Sequence, residues 1–219
     1  MKLDLSEPLR YLGVRGEPDP ALYAEMSAVA DKLTQAVEPR YIYRVFPLVL
    51  GEEGPTLEGT GLTLTGEMAH KMLADCSQAV LLACTLGAGF ESMLRAEQAR
   101  SMARAAMLDV CGSAWVEAGC DEAEQEISAR FPGLYLTDRF SPGYGDLPLE
   151  LQRDICALLD AQRRLGVQVT DSLLMNPTKS VTAVIGLSGH PQPARIRGCG
   201  FCSFRENCQY REEGKTCGT

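Results

Sequence analysis

Apolar side chains recur along this chain at two different periods, and the alternation between them divides it into helices and strands. Behind a proline at the first turn, Leu22, Met26, Ala30 and Leu33 fall at helical spacing, which predicts a helix over 20–36. The run Tyr-Ile-Tyr-Arg-Val-Phe-Pro-Leu-Val at 41–49 is aromatic and branched, so it reads as a strand, and Pro47 would put its end at a sheet edge. A second strand is expected near 57–62, then a helix capped by Thr65 and running to about Asp75. Residues 78–85, Gln-Ala-Val-Leu-Leu-Ala-Cys-Thr, are apolar almost without interruption up to Gly87, the mark of a strand buried on both faces.

From 90 to 129 there is no proline, and Ala, Met and Leu supply one or two helices. At about 100° per residue, Met102, Ala106, Val110, Ser113 and Glu117 fall on one narrow arc. An acid on that small, largely apolar face is either partnered or useful. Pro132 and Gly133 break the helix, and a later one carries Leu151, Ile155, Leu158 and Leu165 as its stripe, with Gly166 as the residue just past its end. Residues 180–187, Ser-Val-Thr-Ala-Val-Ile-Gly-Leu, form the last strand. The fold class is α+β. With no linker, internal repeat or low-complexity tract, one compact body is implied over 1–190, followed by a Cys-rich tail at 191–219.

Composition narrows the function. No apolar run approaches the roughly 20 residues of a bilayer span. The start, Met-Lys-Leu-Asp-Leu-Ser-Glu, carries acid where an export signal would be apolar, so a cytoplasmic location is expected. A formal net charge of −8 repels phosphates, which disfavours nucleic acid as a partner. Of nine cysteines, Cys76, Cys84, Cys111, Cys120 and Cys156 sit singly among apolar residues and read as core. Cys199, Cys202, Cys208 and Cys217 instead follow C-x2-C-x5-C-x8-C among glycines and the cations Arg195, Arg197, Arg205, Arg211 and Lys215. In a reducing compartment that spacing favours metal over disulfides, and four thiolates suit either a [4Fe-4S] cluster or zinc.

The segment Arg139-Phe140-Ser141-Pro142-Gly143-Tyr144-Gly145-Asp146 joins a permanent cation, a proline-glycine turn and an aromatic to a helix start expected near Asp146 or Pro148. Such a turn can seat a carboxylate or phosphate, or its arginine can pair with a neighbouring acid. Arg139-x-x-x-Gly143-Tyr144, followed at a helix's distance by the run from Val169 through Asn176-Pro177-Thr178-Lys179-Ser180 to Thr182, resembles the S-adenosylmethionine-binding reactivation domain of cobalamin-dependent methionine synthase. The segments Leu9-Arg10-Tyr11-Leu12-Gly13 and 39–44, Pro-Arg-Tyr-Ile-Tyr-Arg, look like those of stand-alone forms of that domain.

That resemblance implies long helices with a mainly antiparallel sheet and a cofactor in a shallow surface groove. It implies methyl transfer from S-adenosylmethionine to the cobalamin of a separate methionine synthase or other corrinoid protein, with a low-potential donor such as flavodoxin or ferredoxin. Arg139 suits the ligand's carboxylate and Glu117 its ammonium or a ribose hydroxyl. Backbone groups at Ser141 and Gly143, with Pro142 in the turn between, can reach the adenine, and Tyr144 follows the family as a pocket aromatic. No side chain is required as a catalytic acid or base. After Ser188-Gly189-His190-Pro191 the chain departs from the family's tyrosine-bearing ending. The alternative is a non-catalytic module that docks to a corrinoid protein and uses a zinc-held tail for assembly.

Other motifs carry less. Gly87-Ala88-Gly89-Phe90-Glu91-Ser92 imitates a dinucleotide fingerprint without its third glycine or a βαβ unit. His70 and His190 read as ordinary surface or capping residues, Cys111 and Cys120 lack a histidine to activate a nucleophile, and the acid runs Asp121-Glu122-Ala123-Glu124 and Glu212-Glu213 read as solvated faces.

Overall fold

The computed structural model describes residues 3–193. The four tail cysteines therefore lie outside the described residues. In chain order the first elements are α1 (Ser6–Tyr11), α2 (Pro20–Ala36), β1 (Arg40–Leu50), β2 (Pro55–Leu57), β3 (Leu62–Thr63), α3 (Glu67–Leu73) and β4 (Cys76–Thr85). There follow α4 (Gly87–Gln98), α5 (Met102–Arg130), β5 (Tyr135–Leu136), α6 (Leu151–Leu159), α7 (Ala161–Leu165), β6 (Gln168–Val169), β7 (Met175–Asn176) and β8 (Ser180–Ser188). The hydrogen-bonded order of the main sheet is β3-β2-β1-β4-β8-β5, with β6 and β7 a separate hairpin. The pairs β1 with β2, β2 with β3 and β5 with β8 are antiparallel. The architecture is α+β, as the hydrophobic periods require.

The described chain divides into two compact units. The first comprises the chain up to Ile42, Cys84–Ala123 and Ala161–Val181, and the second Tyr43–Ala83, Glu124–Asp160 and the described residues from Thr182 onward. Each unit is assembled from separated segments, so the boundary leaves no linker for composition to reveal.

In the first unit, α2 begins as its sequence dictates: Asp19 accepts from the Ala21 and Leu22 amides with Pro20 behind it. Its stripe of Met26, Val29, Ala30 and Leu33 is buried. The Cys111 Sγ lies 3.4 Å from the Met26 sulfur, and burial pushes that thiol up to about 12. Trp115 is buried and its indole N–H donates to the Val37 carbonyl at 2.8 Å. Where α4 gives way to α5, Glu97 is buried against Lys32 at 2.6 Å, and that ammonium holds its carboxyl below the usual range.

In the second unit, Leu57, Leu64, Met72, Leu73, Ile127, Phe140 and Ile155 are fully or almost fully buried. Residues 79–83 of β4 and 183–187 of β8 are buried one after another without alternation, as strands covered on both faces must be. Gly186 makes that packing close. A Cβ there would stand 2.4 Å from the Cys76 Sγ, 2.9 Å from Leu73 and 3.0 Å from Thr137. All five described cysteines are buried, as their apolar surroundings predicted.

Four local expectations are corrected. The strand expected at 57–62 is a turn between β2 and β3, because Gly59 and Gly61 take positive φ of 75° and 73° and reverse the chain. Pro47 is inside β1, a strand third from one end of the sheet order, and its carbonyl accepts from Glu58 N at 2.9 Å. Thr65 does not cap α3: the cap position is Gly66, whose φ of 102° admits no side chain readily. The helix expected over 151–165 is two, parted at Asp160 in the left-handed conformation, φ 54°. Gly166 does close the second of them, with φ 75° and its amide on the Gln162 carbonyl at 3.0 Å.

Candidate functional site

The segment carrying Arg139 is fixed on β8 before its loop begins. β5 pairs Tyr135 with Ser188 and Leu136 with Leu187. Beyond it, Thr137 N donates to the Gly186 carbonyl at 3.0 Å while Gly186 N donates to the Thr137 hydroxyl at 2.9 Å. Phe140 and Val184 then exchange amide hydrogen bonds at 3.0 and 2.8 Å. Arg139 thus stands on a backbone held on both sides of it.

The arginine is nearly buried, with 9% of its side chain exposed, and its Nη1 pairs with Glu124 Oε1. This is the ion-pair arrangement that the sequence left open beside the anion seat. Glu124 is correspondingly no part of a solvated face: its side chain is 18% exposed.

Past Phe140 the chain turns sharply. Tyr144 N donates to Ser141 O at 3.0 Å, Leu147 N to Tyr144 O at 3.0 Å, and Gly143 N to Leu147 O at 2.8 Å. Gly143 has φ 90°, and Leu149 lies 3.3 Å from where its Cβ would be. Pro142 is buried beneath the turn, Ser141 is half-buried, and Gly143 and Tyr144 face solvent, the tyrosine 52% exposed. Arg139, Ser141, Pro142, Gly143 and Tyr144 therefore share one pinned loop.

The helix start expected near Asp146 or Pro148 is not where α6 begins. α6 opens at Leu151 behind Glu150, with no side-chain cap. Asp146 serves another helix. Its carboxylate accepts from Met68 N at 2.9 Å and Glu67 N at 2.6 Å, the first two residues of α3, and these two bonds, Met68's the larger, hold its carboxyl below the usual range. Sequence could not place that bond, because donor and acceptor are 78 and 79 residues apart.

Glu117 belongs to the first unit. Its predicted arc is the outward part of α5: Met102 and Ala106 are exposed and Val110, Ser113 and Glu117 half-buried, while the buried face runs through Leu108, Cys111, Trp115 and Cys120. Burial and the Glu7 carboxylate, with a contribution from Glu117, raise the Tyr11 hydroxyl above its ordinary value. In the same unit the second motif is strapped down at successive residues. Thr178 donates through N and Oγ1 to Glu91 at 2.7 and 2.6 Å. Lys179 reaches Ser113 at 2.8 Å and Asp109 at 3.0 Å, and the Ser180 and Thr85 hydroxyls meet at 2.8 Å. No three His, Cys, Asp or Glu side chains converge as metal ligands among the described residues.

An α+β fold with a mainly antiparallel sheet in this order describes a known class of structure. The chain is similar over 98% of its length to a crystal structure of the MetH reactivation domain bound to AdoHcy, covering 82% of that chain with a TM-score of 0.65 at 14% identity. At that identity the likeness establishes the fold. Residues 92–198 match the family model for the activation domain of vitamin B12-dependent methionine synthase, a stretch that contains both the Arg139 loop and the run from Val169 to Thr182. The chain thus resembles the reactivation domain, as its motifs indicate. None of the curated proteins matches it. No helix among the described residues is long and apolar enough to cross a membrane.

Proposed function

We propose that this protein binds S-adenosylmethionine and serves the reductive methylation of cobalamin carried by a separate methionine synthase or other corrinoid protein. One electron and the sulfonium methyl group together turn the partner's cob(II)alamin into methylcobalamin, releasing S-adenosylhomocysteine. The observation that carries the reading is the pinned loop: a nearly buried guanidinium beside a tight turn with an exposed Gly143 and Tyr144. It lies within the segment that matches the activation-domain family. Arg139 is the proposed partner of the ligand's carboxylate, and backbone groups at Ser141 and Gly143, about the buried Pro142, are the proposed contacts of its adenine, with Tyr144 against the nucleoside. Glu117 is proposed separately as the partner of an ammonium or ribose hydroxyl.

The reaction needs no acid or base from this chain. Its contribution is to hold the methyl donor in line with the acceptor, and fixing two reactants in that way is worth roughly 7 to 11 kcal/mol at best. A low-potential donor such as flavodoxin or ferredoxin is proposed as the source of the electron. Cys199, Cys202, Cys208 and Cys217 are proposed as ligands of a [4Fe-4S] cluster or zinc, on their spacing alone.

The decisive experiment mixes the protein with a cob(II)alamin-loaded corrinoid protein, a reductant and methyl-labelled S-adenosylmethionine. Labelled methylcobalamin is the expected product. Its absence, in a mixture where calorimetry shows no S-adenosylmethionine binding, would remove the proposal.

A further inference from the structure

We propose that Glu124 biases the site toward the sulfonium form of its ligand and against the spent thioether. The inference rests on the reading that Arg139 takes the carboxylate of S-adenosylmethionine, and it concerns a residue which that reading does not use.

Glu124 and Arg139 are in direct contact, and both are largely withdrawn from water, with 18% and 9% of their side chains exposed. A carboxylate in such a setting is poorly screened, so its field extends to neighbouring ligand atoms. S-adenosylmethionine and S-adenosylhomocysteine share their carboxylate, ammonium, ribose and adenine. They differ by one methyl group and one positive charge on sulfur. Every interaction of the shared groups cancels in the ratio of the two affinities.

What remains is the potential at the sulfur. In a methionine chain the sulfur is only four bonds from the carboxylate carbon, so a ligand held by Arg139 has its sulfur in the neighbourhood of Glu124, and one charge acting on another across ~8 Å of a partly wet site is worth about a three- to tenfold change in affinity. The sign is fixed. A negative charge favours the sulfonium and is indifferent to the thioether. Arg139 contributes the opposite sign, but replacing Glu124 alone removes only the negative contribution, and the ratio must fall.

The α5 pattern makes the placement plain. Glu124 is seven residues, about two turns, beyond Glu117 on one helix, which returns it to the same face. The structure pairs Glu124 with the loop arginine.

The test compares the dissociation constants of the two ligands by calorimetry. The reference is the ratio of the two affinities, S-adenosylmethionine over S-adenosylhomocysteine, in the unaltered protein. Glu124→Gln should lower that ratio at least about threefold, whatever it does to either affinity separately, and Glu124→Asp, which keeps the charge, should preserve it. A purely structural ion pair would weaken both ligands equally. An unchanged ratio in Glu124→Gln overturns the proposal. If that variant does not fold, Glu124→Met, which also removes the charge at similar size, carries the same test, and an unchanged ratio there overturns the proposal as well. Binding of neither ligand to the unaltered protein would instead overturn the assignment of Arg139 on which this one stands.

Discussion

The carboxylate of Asp146 caps the helix that starts beside Met68. Gly66 supplies the cap position but no side chain, and the missing acceptor arrives from the far end of the Arg139 loop at 2.9 Å from Met68 N. The fit is tight on both sides. A Cβ on Gly66 would lie 2.9 Å from Asp146, and one on Gly145 would lie 2.9 Å from the Met68 Cε.

Asp146 ties stability to acid. Its folded carboxyl titrates below the ordinary aspartate value because two amides favour the charged form, so the stabilisation is complete above an unfolded pKa of about 3.9 and disappears as pH falls through the folded one. Asp146→Asn should melt at lower temperature than the parent at pH 7, and the gap should narrow below about pH 4. A gap that stays constant down to pH 2 would show that the charge is irrelevant.

Two substitutions separate the structural role of Arg139 from its proposed binding role. Arg139→Ala breaks the ion pair with Glu124 and is expected to cost about 3 kcal/mol in urea denaturation, besides abolishing S-adenosylmethionine binding. Arg139→Lys keeps the charge and most of the stability but loses the planar fork. It should bind S-adenosylmethionine at least about tenfold more weakly while losing less than half as much stability as the alanine variant.

Gly186 is set by space and not by backbone conformation. Gly186→Ala should destabilise by about 1 to 3 kcal/mol, since the Cys76 sulfur and the Leu73 side chain stand where the methyl must go. Adding Cys76→Ala should recover part of the loss, a coupling that a double-mutant cycle in denaturant would quantify. Strict additivity of the two changes would contradict the packing argument.

The tail chemistry can be read from metal content. After anaerobic reconstitution, a [4Fe-4S] site predicts about four iron and four sulfide per chain with visible absorption, and a zinc site about one zinc without it. Replacing Cys199 and Cys202 together by serine should abolish either. Retention of full metal in that variant would exclude these cysteines as ligands.

Period, composition and motif were enough to determine several parts of this protein. The α2 stripe, the apolar run that becomes β4, the last strand and the closing glycine at Gly166 all follow from local rules, since each depends on residues within a few positions of one another. The Arg139 loop was legible for the same reason: its turn is made by its own amides. Tertiary structure decided the rest. Glu124 looked like one more surface acid until Arg139 was beside it, and Asp146 looked like the start of its own helix until it proved to cap α3. A short glycine-containing turn at 58–61 likewise overrode strand propensity on either side. Local geometry is written in neighbouring residues, whereas the partner of a buried charge or an uncapped helix end is chosen by whatever the folded chain brings within hydrogen-bond reach.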